Sequence, residues 1–314
     1  MRILVTGGAG FVGSNLVARL LGQGHSVIAL DNFMTGRREN LSAHFENPEF
    51  VLVDHDVTNP LPARMGKVDR VYHLACPASP PQYQRDPIYT ARIGFLGTLH
   101  ALEYAHAHGA RLLLASTSEI YGDPEVHPQR EDYRGAVSTT GPRACYDEGK
   151  RIGETLAADF ERTRGTGIRI ARIFNTYGPN MDPDDGRVVS NFLVQALRGA
   201  PLTIYGSGEQ TRSFCYVDDL LDGLTGLMEC ASNPGPVNLG NPVEFTIAEL
   251  ATAVEKLLGK PLPRDVRPLP TDDPTRRKPD ISKAAALLAF APRTPLEAGL
   301  VPTLEYFRQR IANG

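Results

Sequence analysis

Tyr146 and Lys150 stand four residues apart in "RACYDEGK", residues 143–150. On a helix this spacing puts both side chains on one face. By itself the pair reads equally as a surface contact or as a proton relay. Upstream, "LLLASTSEIYG" carries Ser116, Thr117, Ser118 and Glu119 at the end of an apolar run. These could be strand-end caps and a solvated carboxylate, or a row of hydroxyls and an acid facing a ligand. Together the two groups offer proton transfer. An ammonium beside a phenol makes the phenol more acidic, and a phenolate within reach of a hydroxyl can take its proton.

Such residues need a frame that carries them to one edge. Over the first 175 residues, short β-branched or aliphatic runs recur at "RILVTG", "SVIALD", "FVLVDHD", "RVYHLA", "RLLLAS" and "IRIARIF". Stretches with helical spacing separate most of them, such as "FVGSNLVARLLGQG" and "PIYTARIGFLGTLHALEYAHAHG". Continuous apolar runs read as strands buried on both faces, as in a parallel sheet covered by helices. The expectation is an α/β fold with a doubly wound, Rossmann-type parallel sheet and ligands at the carboxyl ends of its strands. Strand five then ends at Ser116–Glu119, and the Tyr146 helix starts some 25 residues later, a crossover that returns it to that edge. After Pro179 the texture turns loop-rich, with "GPNMDPDDGR" and the Pro/charge segment "RPLPTDDPTRRKPD". Residues 1–175 read as the main domain, with a return near 212–240, and 176–314 as a smaller lobe.

"VTGGAGFVGSNLVARLL" follows the first strand and opens the first helix, with Gly7, Gly10 and Gly13 spaced GxxGxxG. A tight turn there brings bare backbone against a pyrophosphate, whose charge the helix N-terminus meets. Eighteen residues beyond Gly13, "VIALDN" ends strand two with Asp31. A carboxylate there accepts hydrogen bonds from ribose hydroxyls and repels a 2′-phosphate, which favours NAD over NADP; Arg37 and Arg38 close by weigh the other way. "DHDV" ends strand three with Asp56, placed either to touch adenine or to sit solvated in a loop. With an NAD site at this edge, the positive nicotinamide ring joins Lys150 in lowering the Tyr146 pKa, and the pair reads as a relay.

The composition is ordinary: 41% hydrophobic, 22% charged, net charge −3. No Lys/Arg run stands out, which argues against nucleic acid or a membrane surface as partner. No window approaches the roughly 20 apolar residues of a bilayer span, and Met1 leads straight into "RILVTGG", where no leader is expected. Cys76, Cys145, Cys215 and Cys230 are scattered without a CxxC, so a reduced, cytoplasmic protein is expected. His106 and His108 lie on different helix faces with no third ligand, and no metal is expected.

Several tracts go further. "GGAGFVGS", "DNFMTGRREN", "HLACPASPPQY", "LLLASTSEIYGDPEVHPQ", "GPRACYDEGKR", "RIFNTYGPNMDPDDGRVVSNF", "YGSGEQTRSFCYVDDL" and "DDPTRRKPDI" resemble the UDP-glucuronate decarboxylase (UDP-xylose synthase) family of extended short-chain dehydrogenases. The resemblance spans about residues 2–310, and Leu112–Arg151 is its most specific part. It implies that bound NAD+ oxidises C4 of UDP-glucuronate, with Tyr146 as base, Lys150 its partner and Thr117 holding the hydroxyl. The 4-keto product loses its C6 carboxylate, C5 is protonated, and hydride returns to C4. Ser118, Glu119 and Arg277 of "RRKPD" are implied to handle the carboxylate and the C5 proton, with a raised Glu119 pKa making it a donor. In the nucleotide tracts the likeness carries over Phe11, Val12, Asn32, Phe33, Thr35 and Gly36 as NAD contacts. Val57, Leu74 and Ala75 join them. For the UDP-sugar it implies Tyr83, Asn175, Arg187, Asn191, Tyr205, Gln210 and Arg212, with Arg212 meeting the diphosphate and Tyr205 near uracil. The 176–314 lobe is thus read as mainly UDP-sugar-binding.

The resemblance also implies a homodimer pairing the helices around residues 90–108 and 148–163. Two departures stand out: Gly94 replaces the Asn of a "TNxxGT" segment near nicotinamide, and Cys76 stands where serine is frequent. Loss of the Asn hydrogen bond is expected to release more 4-keto intermediate and NADH. A 4-epimerase or 4,6-dehydratase would share the Tyr/Lys/NAD core. A dehydratase is expected to carry "DE" rather than "SE" after Thr117, and an epimerase has no need of Arg277 at C6. A non-catalytic NAD-binding regulator is the reading from another class.

Overall fold

The computed structural model describes residues 1–268 and 276–313. The middle of the Pro/charge segment, 269–275, and residue 314 lie outside the described residues. The core of the molecule is a seven-stranded sheet: β1 (Arg2–Thr6), β2 (Ser26–Asp31), β3 (Phe50–Asp54), β4 (Arg70–His73), β5 (Arg111–Thr117), β6 (Ile168–Ile173) and the late strand Pro236–Leu239. Its spatial order runs Pro236–Leu239, β6, β5, β4, β1, β2, β3, and every neighbouring pair is parallel. This is the doubly wound Rossmann arrangement. The strand order reverses between β1 and β4, where a crevice opens at the carboxyl ends.

The apolar runs explain the layering. Val5, Ala29 and Leu113 face one core with the helices Phe11–Gly22 and Val217–Glu229, while Leu4, Ile28 and Leu112 face the other with Thr98–His108 and Ala144–Arg164. The chain returns to the sheet at Val217–Leu239, and the helix Ser282–Leu288 packs against that last strand. The long helical stretch from Pro87 is not one regular helix. It runs Pro87–Arg92, widens into a π-helical turn over Ile93–Gly97, and resumes as Thr98–His108. At the turn, Gly94 crosses the Tyr146 helix so closely that a Cβ on it would lie 2.7 Å from the Gly149 Cα.

A smaller apolar core holds the helices Val188–Leu197 and Ile247–Leu258 and the Leu296–Asn313 helix. The second of these opens with a capping box of Thr246 and Glu249. Beside it, Thr211–Ser213 pairs antiparallel with Glu244–Thr246 and parallel with Arg276–Arg277, which fixes Arg212 and Arg277 side by side. The loop from Pro179 is tied to the first domain. Asn15 donates to Pro179 O at 2.9 Å, Asn180 to the Ser14 hydroxyl at 3.1 Å, and Arg37 to Asp182 at 3.1 Å. These bonds close the crevice between the two cores into one cavity of about 560 Å³.

Candidate active site

At the nucleotide end of the cavity, Gly7 has φ +69°, and a Cβ there would lie 2.8 Å from the Ala75 nitrogen. A Cβ on Gly13 would collide with the Gly7 carbonyl. The helix from Phe11 therefore opens on bare backbone, with Gly10 at its N-cap and no side-chain cap occupying its first N–H groups. Asp31 accepts from Ala9 N and Phe33 N, both at 2.9 Å. Burial pushes its pKa up, against the lowering by those backbone bonds. Arg37 is held by Asp182, while Arg38 pairs with Asp54 at 2.6 Å and covers the Phe33 ring at 4.0 Å. Neither arginine is turned to Asp31, so the cradle fits a dinucleotide without a 2′-phosphate.

Gly7, Gly10, Phe11, Val12 and Gly13 line the cavity, as do Asp31, Asn32, Thr35, Val57, Leu74 and Ala75. Three expected contacts do not. Phe33 carries Arg38, and Gly36 packs behind the Asp31 carboxylate, 2.8 Å from where its Cβ would be. Asp56 stands two residues beyond the end of β3, accepting from Tyr89 Oη at 2.5 Å and from Thr58 N at 2.8 Å. It is an anchored turn residue.

Deeper in, β5 ends at Thr117 and a 3₁₀ turn, Ser118–Tyr121, places Ser118 and Glu119 at the cavity. Ser116 turns its hydroxyl to Glu154 at 2.5 Å. The helix Ala144–Arg164 brings Tyr146 and Lys150 against this edge, 5% and 7% exposed. Thr117 stands close enough to the Tyr146 phenol to act on its pKa, and the Tyr83 ring stacks on the Tyr146 ring at 5.0 Å and 4°. Lys150 donates to Ala115 O at 2.8 Å, with its Nζ 5.8 Å from the Tyr146 ring centroid. Burial holds the Tyr146 pKa well above its ordinary value, with Cys76, Glu119 and Asp147 adding to it, so the phenol keeps its proton in the protein by itself.

In the protein by itself Glu119 is held in its charged form. Burial acts to raise its pKa, but Arg277 and Arg143 outweigh that and hold it below the usual carboxylate range. Arg143 Nη2 and Arg277 Nη2 both lie 2.5 Å from Glu119 Oε2, and Arg277 also pairs with Oε1. Glu119 is thus an anion clamped by two guanidiniums, and Arg277 Nε has no partner among the described residues. The other wall carries Tyr83, Asn175, Arg187, Asn191, Tyr205, Gln210 and Arg212. Arg187 is bound at two points by Asp185, at 2.5 and 2.9 Å; Asn191 donates to Gly186 O at 2.9 Å; Gln210 donates to Tyr205 O at 2.7 Å.

Two neighbours escaped the sequence reading. Arg143 precedes Tyr146 by three residues and Asp147 by four, spacings that set Arg143 next to each of them at the start of the helix. His106, by contrast, pairs with Thr166 Oγ1 at 3.0 Å, far from the cavity wall.

Cradle, acidic strand end and buried Tyr/Lys pair on a doubly wound sheet define a nucleotide-sugar enzyme of the short-chain dehydrogenase type. The chain belongs to the NAD dependent epimerase/dehydratase family, which it matches over residues 3–240. Among curated relatives it is 54% identical over 313 residues to UDP-glucuronic acid decarboxylase 1 of Arabidopsis thaliana, covering 100% of this chain and 71% of that one. It is 53% identical over 310 residues to UDP-glucuronic acid decarboxylase 1 of Xenopus tropicalis, covering 99% and 73%. Among solved structures, UDP-glucuronic acid 4-epimerase of Bacillus cereus, in complex with UDP-glucuronic acid and NAD, has a TM-score of 0.90 at 29% identity, over 99% of this chain and 100% of that chain.

Proposed function

We propose that this protein is a carboxy-lyase that converts UDP-glucuronate to UDP-xylose through a 4-keto intermediate, with NAD recycled. The observation that carries the reading is the meeting of Tyr146 and Thr117 with the Glu119–Arg277–Arg143 cluster in one cavity. A tyrosine relay serves C4 of a sugar; guanidiniums two groups away suit a carboxylate at C6. Bound NAD supplies hydride acceptance and return at C4, and a positive ring that lowers the barrier to deprotonating Tyr146. Thr117 holds the C4 hydroxyl, and Tyr146 takes its proton while Lys150 fixes the tyrosine's surroundings. With a carbonyl at C4, the C5–C6 bond electrons pass onto O4 as CO2 leaves. C5 then takes a proton from the Glu119 side of the cavity. Arg212 and Arg187 meet the diphosphate, Tyr205 and Gln210 the nucleobase end.

The protein acts as a homodimer in this reading, through Ile88, Phe95 and Ile152, which are 76%, 41% and 37% exposed on the helices around Gly94 and Lys150. A reducing, cytoplasmic setting goes with it, supported by four free cysteines, two of them beside the site. The test is to incubate the protein with UDP-glucuronate and catalytic NAD+, following the sugar by NMR and the released CO2. UDP-xylose and CO2 at many turnovers per NAD is the expected result. UDP-galacturonate without CO2 would make it an epimerase, and tight NAD binding with no turnover would make it a regulator.

A further inference from the structure

Decarboxylation of a carboxylate consumes a proton: R–COO⁻ and H⁺ become R–H and CO2. Glu119 lines the cavity but is held as an anion by Arg143 and Arg277. Asp147 lies on the first turn of the Tyr146 helix within reach of the Glu119 charge, 7% exposed, and its Oδ1 is buried with no hydrogen-bond partner among the described residues. A buried acceptor left in that state is costly when ionised.

The groups acting on Asp147 come from several elements. Glu119 raises its pKa from the 3₁₀ turn, and Arg143 and Arg277 lower it from the helix start and the strand Arg276–Arg277. Glu148 raises it from its own helix, and Tyr83, Cys145 and Tyr146 also feel its charge. Burial is the largest influence, and the outcome is a carboxyl pushed up to about 7.

We propose that Asp147 is the group through which the protein takes up the proton of each turnover, binding it as the substrate carboxylate enters beside Glu119, Arg143 and Arg277. This rests on the decarboxylase reading. A third carboxylate in the cluster raises the proton affinity of the least well-paired one. As CO2 leaves, the negative charge passes with the C5–C6 electron pair onto the C4 oxygen, away from the cluster, and the hold on the proton weakens. The proton passes from Asp147 to the Glu119 carboxylate and from there to C5, where the electron pair of the enolate forms the C–H bond, and both carboxyls end ionised. Asp147 does not line the cavity, so it is a positioning residue that acts through Glu119.

The NAD-loaded Tyr146→Phe protein, which binds without turning over, is titrated calorimetrically at about pH 8 in two buffers of different ionisation enthalpy. UDP-glucuronate is expected to take up close to one proton, UDP-xylose almost none, and Asp147→Asn in the same background to erase the difference. Equal uptake for both sugars overturns the proposal, and so does uptake that survives Asp147→Asn, which would put the proton on Glu119. If that double variant does not fold, wild-type kcat/KM for UDP-glucuronate decides. It is expected to fall about tenfold per pH unit above about pH 7, and a flat profile from there upward overturns the assignment. Failure of the wild type to bind or turn over UDP-glucuronate at all would instead remove the decarboxylase reading.

Discussion

Asp147 and Glu119 are two carboxyls that both act on Tyr146, and their surroundings push them in opposite directions. Glu119 gains two guanidinium hydrogen bonds; Asp147 has an oxygen with none among the described residues. The consequence for stability has a definite sign. The folded Asp147 holds its proton up to about pH 7, the unfolded one only to its ordinary value of 3.8. Between those values the folded state binds more protons, so this group lowers stability as pH rises, and the loss levels off above the upper value. Asp147→Asn is therefore expected to be more stable than wild type at about pH 8, by on the order of 2–4 kcal/mol. At acid pH the difference should vanish. Denaturant midpoints at the two pH values check this, and equal midpoints at both would mean the acid is not perturbed.

At the scale of elements, the site depends on how two helices cross. The π-helical turn Ile93–Gly97 and the Tyr146 helix touch backbone to backbone at Gly94 and Gly149, one residue before Lys150. From the family resemblance Gly94 reads as a lost Asn and a leak of intermediate. The contact supplies a reason the sequence does not show: there is no room for any Cβ. Gly94→Asn is thus expected to destabilise by about 1–3 kcal/mol through overpacking and to displace Lys150, lowering turnover. A substitution that held both stability and turnover while cutting NADH release would restore the lost-hydrogen-bond reading.

For the whole molecule, the same pair of helices turns its other side outward. Phe95 and Ile152 are exposed apolar residues on neighbouring elements that carry the site on their inner faces. A second copy covering them would brace the Gly94–Gly149 crossing from outside. The double variant Phe95→Glu/Ile152→Glu is expected to sediment as a monomer with reduced turnover, against a wild-type dimer. A wild-type monomer at working concentration would refute the pairing.

Much of this architecture is local information. Continuous apolar strands, helical spacing and the Gly7–Gly13 turn determine a doubly wound sheet and a dinucleotide cradle, because backbone conformation and burial follow from neighbouring residues. Tyr146, Lys150, Thr117 and Arg277 were likewise singled out from the sequence, the last only through family resemblance, and all four line the cavity. Tertiary structure alone decided which charges meet. Arg143 and Arg277, separated by more than a hundred residues, converge on one oxygen of Glu119. Arg37 and Arg38 are drawn off by Asp182 and Asp54, and Asp56 by Tyr89. Proton affinities depend on distances and solvent exclusion that the linear chain does not carry. For that reason residue types alone do not show that the packed cavity by itself holds Glu119 as a clamped anion and Tyr146 as a buried acid.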